Sequence, residues 1–416
     1  MRYRLLLIGT LLPLWISAQN PRTISLQEAE RLFLNQNQEM RAAKAEVDVA
    51  KADIRQAKLW NNPELTLEQI NFWSDAEKRQ GEKRSFAISL AQEIRLGGKR
   101  KKEVQIARLN HHISRLKLAL SEEEGLLRFR SIVVEHSYLT KYQSILQEEL
   151  KVLQQITNTY RKQKELGFVS HSHYMRIQTA AFELEQEIIA LKQQVHELEQ
   201  LLHTAMGLAL SDSLQIVCKA DEQLLSTTLL ANLSKQTSSH PLLQLQQKQL
   251  QFQQKSLALE RVQRIPDLGL SASYDRRGGV WPNYFGVGLS IKLPLLNRNQ
   301  GQIQAAQTLL ELQKTELQTQ ETALTNQIQT ALQQYQDLIQ FEQKLKTELS
   351  YEDLRQIQAS YTRNLLQKNI SLIEFLDFLS AHRESLHIQL ETTKNRQLHY
   401  FTLQYLVAQK TNPHEN

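Results

Sequence analysis

From Lys99 to His240 the chain contains no proline, and from Lys99 to Leu166 it is built of helix formers with few glycines. Such a stretch predicts a single helix roughly 100 Å long at about 1.5 Å per residue. Leu109, Ile113, Leu116 and Leu120, then Leu139, Tyr142, Leu146, Leu150 and Leu153, recur at three and four residues and form one apolar stripe. A helix of that length cannot bury its own stripe, so it has to pack as a coiled coil on neighbours. Gly167 to Ser172 interrupts the pattern, with Gly167 placed as a helix C-cap and Ser170 or Ser172 as the next N-cap. A returning helix from His173 to Met206, stopped at Gly207, closes a helical hairpin whose tip lies near residue 168.

A different period governs the segments that lead into the long helices. In Asn283 to Gly301, Phe285, Val287, Leu289, Ile291 and Leu293 alternate with Gly286, Gly288, Ser290 and Lys292, a period-two pattern with one apolar and one small or polar face. Phe86, Ile88 and Leu90 alternate in the same way with Ser85, Ala87, Ser89 and Ala91, ahead of the turn Gly97, Gly98, Lys99, Arg100. Both runs approach the roughly 9–11 residues that a strand needs to cross a bilayer. Asp267 to Tyr274 places Leu268, Leu270, Ala272 and Tyr274 on one face. Pro63 to Trp73 alternates through Leu65 and Leu67 and then shifts to Ile70 and Phe72, as a bulged strand would. Ser74 to Lys83 is polar and reads as a hairpin loop.

The chain states this plan twice. A helix expected over Ile24 to Leu59, with Thr23 or Ser25 as N-cap, is answered by one from Pro241 to Arg264. A second long helix carries Leu324, Ile328, Ala331, Tyr335, Leu338, Leu345 and Leu349 at heptad spacing, interrupted by Glu342, and turns near Lys368 to Ser371 before a last helix to about Lys410. Ser89 and Ser290, Tyr160 and Tyr361, and Ser170 and Ser371 are each 201 residues apart, and Pro63 and Pro266 are 203 apart. A period this long means a duplicated domain rather than a solenoid. The expected division is a signal peptide over 1–18, a first repeat over 19–220 (β-hairpin 63–94, tip near 168) and a second over 221–416 (β-hairpin 267–294, tip near 369). Gly207 to Ser239 is weakly patterned and connects the two, and Thr411 to Asn416 is a polar tail.

Several functions are excluded. The net charge of +6 comes from Lys and Arg interleaved with Glu along helices, without an aromatic stacking set, so nucleic acid is not an expected partner. No Ser/His/Asp triad or phosphate-cradling glycine loop is present, and the chain reads as neither an enzyme nor a cofactor binder. His111 and His112 diverge on a helix, His171 and His173 lie at a tip without a third ligand, and no resident metal is expected. Arg2 and Arg4, an apolar run from Leu5 to Ile16, and Ala18 before Gln19 form a secretory signal. Cys218 is the sole cysteine. After the signal there is no run of 18 apolar residues that would make a membrane helix.

Four membrane-length strands cannot close a barrel, and open edges are not tolerated in hydrocarbon. Three protomers contributing four strands each would give about twelve, within the range of outer-membrane barrels. The alternative is a nonconducting periplasmic coiled-coil scaffold or adaptor whose strands form a small sandwich.

The signal peptide, N-P-E-L at Asn62 to Leu65 with I-P-D-L at Ile265 to Leu268, L-G-G-K-R at Leu96 to Arg100, and L-P-L-L-N-R-N-Q-G at Leu293 to Gly301 together resemble the TolC-like outer membrane efflux family, and within it the heavy-metal branch. The resemblance covers essentially the whole mature chain. It implies a mainly α fold with a small β part, assembled as a homotrimer: a β-barrel in Gram-negative outer membrane lipid and a long α-helical barrel in the periplasm. A periplasmic adaptor (membrane fusion protein) and an inner-membrane RND-type pump would dock at the open end. Phe86, Ile88, Leu90, Phe285, Val287, Leu289 and Ile291 would face lipid. Glu374 and Asp377 match the acidic pair that rings the family's pore entrance, and their spacing puts both on one helix face. The family's gating Arg and Tyr positions fall on Ile370 and Leu365, so Leu365, Leu366 and Ile370 would constrict the pore by apolar contact instead. Adaptor docking would use Gly167, Phe168, Val169 and Ser170 at one tip, and Lys368, Asn369 and Ser371 at the other, where Lys368 replaces the glycine.

Overall fold

The computed structural model describes residues 22–70, 85–209, 214–217, 240–276, 281, 283–349 and 351–407. The signal segment, the 74–83 loop, Cys218 with most of the connecting segment, and the C-terminal tail lie outside the described residues. The chain is mostly helical with a small sheet part, in the order β1 (Arg22–Ser25), α1 (Leu26–Gln36), α2 (Gln38–Ala57), β2 (Glu64–Ile70), β3 (Ser85–Ile94), α3 (Lys99–Glu165), α4 (His171–Met206), β4 (Leu214–Val217), α5 (Pro241–Gln263), β5 (Leu268–Asp275), β6 (Tyr284–Ile291), α6 (Gln300–Glu348), α7 (Tyr351–Leu366) and α8 (Leu372–Leu406).

The expected helix over 24–59 is two helices behind a short strand. Ser25 caps α1, its Oγ accepting the Glu28 N–H. Asn37 then breaks the run. Its Oδ1 accepts the N–H groups of Glu39 and Met40, and its Nδ2 donates to Ala205 O at 3.1 Å. An asparagine able to cap one helix while bonding another element does better outside a helix than inside one. The 67-residue α3 forms unbroken at its expected bounds. Its partner stripes come from α4, from α2 and α5 near its start, and from α8.

The buried stripes meet in separate clusters. Leu146, Leu153 and Ile156 of α3 pack on Ile177 and Leu184 of α4 and on Phe375 and Leu379 of α8, so the tip half of the molecule joins both repeats in one core. At the other end of the α3–α4 hairpin, Phe33 stacks on Phe129 with ring centroids 5.1 Å apart, beside Ile24, Met40, Leu202 and Met206. The second repeat has its own version, built on Leu243, Leu324, Ile328, Tyr335 and Leu403.

The second long helix is not continuous: α6 ends at Glu348 and α7 begins at Tyr351. Leu349 leaves helical geometry at φ −136°, ψ 73°, and Gln389 Nε2 on α8 donates to its carbonyl at 2.5 Å. The charge foreseen in the seam sits just before this break, where Glu342 pairs with Arg396 of α8 at 2.8 Å.

The strands form two sheets. β1 and β4 pair in parallel, and β2, β3, β5 and β6 lie in that order as one antiparallel sheet. The two hairpins are therefore joined through β3 and β5, leaving β2 and β6 as edges. The bulge expected in β2 is absent from the described part. Its pairing with β3 runs unbroken from Glu64 opposite Ala91 to Ile70 opposite Ser85. Alternation there simply ends at Leu67, and the backbone ladder keeps its register beyond it.

Candidate functional site: an exposed sheet, two helical tips and the clasp between them

Residues directly opposed in an antiparallel ladder share a face. Leu65 lies opposite Leu90 and Leu67 opposite Ile88; Ile88 lies opposite Tyr274, Leu270 opposite Leu289, and Ala272 opposite Val287. One face is thus apolar from edge to edge. Phe86, Leu90, Phe285, Val287, Leu289 and Ile291 are exposed on it, Val287 at 79%, while Ile88 is half-buried. The reverse face carries Thr66, Ser89, Ser271, Ser273, Gly286, Gly288 and Ser290. It is closely packed as well as polar: a Cβ on Gly288 would fall 2.5 Å from Ser271 Oγ. Among the described residues no helix packs across either face. No described helix is long and apolar enough to cross a membrane.

The turn from sheet to α3 is fastened across the repeats. Lys99, only 3% exposed, reaches Asp267 Oδ2 at 2.8 Å, and Asp267 Oδ1 accepts the Leu96 N–H at 2.9 Å. Gly97 lies so close to Ile265 that a Cβ would come 2.6 Å from Ile265 Cδ1.

The two tips share one backbone design. At the first, Gly167 N–H donates to Lys164 O and Phe168 N–H to Gln163 O; at the second, Lys368 N–H donates to Leu365 O and Asn369 N–H to Asn364 O. Each is the paired-bond motif that ends a helix on a left-handed residue. Gly167 has φ 77° and Lys368 φ 63°. The lysine therefore adopts the conformation its glycine counterpart favours, and replacement does not change the turn. Ser170 then accepts the His173 N–H and Ser371 the Glu374 N–H, capping α4 and α8 alike. The tips adjoin, with Lys368 Nζ 5.9 Å from the Phe168 ring centroid. Phe168, Ser170, Asn369 and Ser371 are exposed, and Val169 is half-buried.

Glu374 and Asp377 are both exposed on α8, one turn apart. Leu366 is exposed and Ile370 half-buried, but Leu365 is 3% exposed inside the tip-half core and packs there within the chain. Sequence spacing could not separate Leu365 from Leu366, because adjacent residues at a helix end differ only in which face meets the core.

The sequence reading also missed a clasp behind the tips. Arg383 of α8 donates to Glu149 of α3 at 2.8 Å and to Glu187 of α4 at 3.3 Å, and Tyr142 OH donates to Glu187 at 3.1 Å. Burial raises the Glu149 carboxyl above its ordinary range, against the pull of Arg383. It raises Tyr142 likewise, with Glu187 adding to the effect. Burial also lowers the neighbouring His382. An arginine at this position in a mixed polar and apolar helix gives no sequence signal of such a contact.

Solved outer-membrane channels share this fold. The structure resembles CusC, at TM-score 0.77 and 16% identity over 92% of this chain and 91% of that one. It resembles the CmeC outer membrane channel of Campylobacter jejuni at TM-score 0.76 and 13% identity, covering 94% and 87% of the two chains. The open-state MtrE outer membrane channel of Neisseria gonorrhoeae gives TM-score 0.70 and 16% identity, covering 92% and 88%. At these identities the likeness is one of fold. No curated protein matches the sequence. Residues 31–208, which include nearly all of the first helix-hairpin-helix unit, match the family model of the outer membrane efflux protein. Over those residues the chain is similar to the outer membrane efflux protein family, and its fold is like that of the solved outer-membrane channels through both halves of the chain.

Proposed function

We propose that the chain is the outer-membrane duct of a tripartite efflux system, working as a homotrimer and catalysing nothing itself. The observation that carries this reading is the four-stranded sheet, with an exposed apolar face and, among the described residues, no helical cover and two unpaired edges. Left in water such a sheet is an aggregation hazard, whereas lipid and the edges of sister chains satisfy both liabilities. Three copies would give about twelve strands, enough for a barrel with a bore. The small polar reverse face would line that bore.

In this reading residues 1–18 are a cleaved signal peptide, and the units 19–220 and 221–416 each supply a hairpin to the barrel and a helical hairpin to a periplasmic tube. The tips, Gly167 to Ser170 and Lys368 to Ser371, would receive the adaptor and place the opening beside an inner-membrane pump that supplies the energy. Their shared backbone geometry supports docking of both by one kind of partner. Glu374 and Asp377, repeated three times, would ring the entrance with six carboxylates, which favours cations. That charge and the motif resemblance to the heavy-metal branch favour metal cations as cargo. Leu366 and Ile370 would narrow the opening.

The test is fractionation followed by planar-bilayer recording of the purified protein. A duct sediments with the outer membrane as an oligomer and conducts, and Glu374→Gln with Asp377→Asn lowers its cation-to-anion permeability ratio. Recovery as a soluble, nonconducting protein would establish the scaffold reading instead. Deletion of the chain should raise sensitivity to Cu, Zn, Co or Ni, and sensitivity confined to a drug panel would remove metal cations as cargo.

A further inference from the structure

The first repeat carries a charged cavity that its duplicate lacks. The end of α2, the link to β2 and the start of α3 enclose a space of about 680 Å³ against the end of β3. Lys58, Arg95, Arg100, Lys101 and Arg108 all line it. Arg95 is neutralised by Glu103 of α3, to which its guanidinium donates through Nη1 and Nη2. The one lining carboxylate among the described residues, Glu93, accepts a bond from Asn61 Nδ2 at 2.8 Å. With Arg95 set aside, the other four cations face a single carboxylate that is already engaged. Lys58, Lys101 and Arg108 have no ion-pair partner among the described residues.

Like charges so placed repel one another, and the turn they surround does not require them. The second repeat makes the same passage from strand to long helix through a left-handed residue, Asn299 in place of Gly98. At that displacement of 201 residues, Arg95, Arg100, Lys101 and Arg108 correspond to Leu296, Gly301, Gln302 and Leu309. The turn therefore forms without the charges. One of the cations is also held in a fixed orientation. The Arg100 guanidinium stacks over the Trp60 ring, 3.9 Å from its centroid, and donates through Nη1 to Lys58 O at 3.3 Å. Trp60 is 62% exposed, so this stack belongs to no core. A guanidinium fixed on an aromatic face, with further N–H groups to offer, is an oriented fork for the oxygens of a phosphate.

We propose that this cavity binds a phosphate-bearing anion, with Arg100 as the oriented donor and Lys58, Lys101 and Arg108 as the neutralising charges. Its volume falls within the range of about 300–1,000 Å³ usual for small-molecule sites. The same chemistry has two sources. Leu59 and Trp60, both exposed beside the cavity, suit the headgroup of an anionic phospholipid whose tails run along the apolar face of the sheet. Glu93 has the parity of Ser89 in β3 and places one wall of the cavity on the small polar side, which suits a phosphate-bearing solute. The site lies within one chain, so it goes beyond the duct reading and does not depend on closure of a trimer.

The test uses the purified full-length protein in neutral detergent, with the thermal unfolding midpoint as readout. Inorganic phosphate is titrated against chloride at equal ionic strength, and phosphatidylglycerol against phosphatidylcholine in the micelle. At least one of the two anionic probes should raise the midpoint saturably. A response to inorganic phosphate identifies a solute site, and a response to phosphatidylglycerol alone identifies a headgroup site. Arg100→Gln with Lys101→Gln should raise the half-saturating concentration about 30-fold, at roughly fivefold per basic group removed. Lys101→Gln with Arg108→Gln, which keeps the Trp60 stack, should weaken binding to a similar degree and serves if the first pair fails to fold. Arg115→Gln with Lys117→Gln removes the same charge from exposed positions further along α3 and should change nothing. No saturable response to either probe, a response that the cavity variants leave intact, or equal weakening by the Arg115 and Lys117 changes would overturn the site. Fractionation and conduction decide the duct reading separately.

Discussion

Val287→Lys separates a lipid-facing sheet from a water-facing one, because the two environments give effects of different size at the same atom. Val287 sits mid-strand in β6, opposite Ala272, with 79% of its surface exposed. If that surface met water, lysine would be tolerated within about 0.5 kcal/mol, as exposed substitutions generally are. At the midplane of a bilayer a lysine on the outer face of a barrel costs about 2–4 kcal/mol. A trimer carries the change three times, for a total of roughly 6–12 kcal/mol. The expected result is loss of most of the SDS-resistant oligomer from the outer-membrane fraction, with the chain degraded or aggregated. Ser89→Lys provides the control, since Ser89 lies on the small polar face. It should assemble and shift conductance toward anions. A Val287→Lys chain that accumulates folded at normal yield, with unchanged thermal unfolding and no change in oligomer, would refute the assignment of the apolar face to lipid.

Three further outcomes follow from contacts within the chain. Arg383→Leu should lower stability by about 3 kcal/mol, near the lower end for breaking a buried ion pair because Arg383 keeps 28% of its side chain exposed. Since burial raises the Glu149 pKa in the folded state, its ionised form costs stability above that pKa, so the deficit measured by thermal unfolding should shrink as pH falls from about 7 to about 5. Lys368→Gly should raise stability by about 0.5 kcal/mol by relieving a left-handed backbone. A loss instead would mean that the contact with Phe168 outweighs the strain. Asp267→Ala strands the buried Lys99 ammonium and should destabilise by about 3 kcal/mol, with Lys99→Met added to it recovering much of the loss in the same melt.

The long elements were legible because their signals are long. A helix from Lys99 to Glu165 follows from proline-free heptads, and the ends of α4 follow from Ser170 and Gly207. Breaks were less visible. Asn37 looks like an ordinary polar residue until Ala205 supplies a carbonyl, and the gap after Glu348 depends on Gln389 from α8. Both are tertiary choices that no local window contains. The alternation in β3, β5 and β6 predicted the apolar face, while the slip in β2 predicted a bulge that the ladder with β3 does not show. At the first tip a serine cap was expected at Ser170 or Ser172, and the structure uses Ser170; that Lys368 would keep the glycine's conformation could not be read, because composition argues against it.

In the proposed trimer, folding of the sheet and assembly would be one event. The helical cores are complete within one copy, with Leu146, Leu153, Ile177 and Phe375 buried by both repeats, so the rods can form first. The sheet is different: four strands, two open edges and an exposed apolar face give it no stable home in water. In the proposed trimer its free energy would be gained only when sister edges and lipid arrive together, which would make the stability of the barrel depend on chain concentration and leave that of the rods largely independent of it. Dilution of a detergent-solubilised trimer should therefore lose the β signal before the helical one. Simultaneous loss of both would mean that contacts between helices, rather than the strands, hold the copies together.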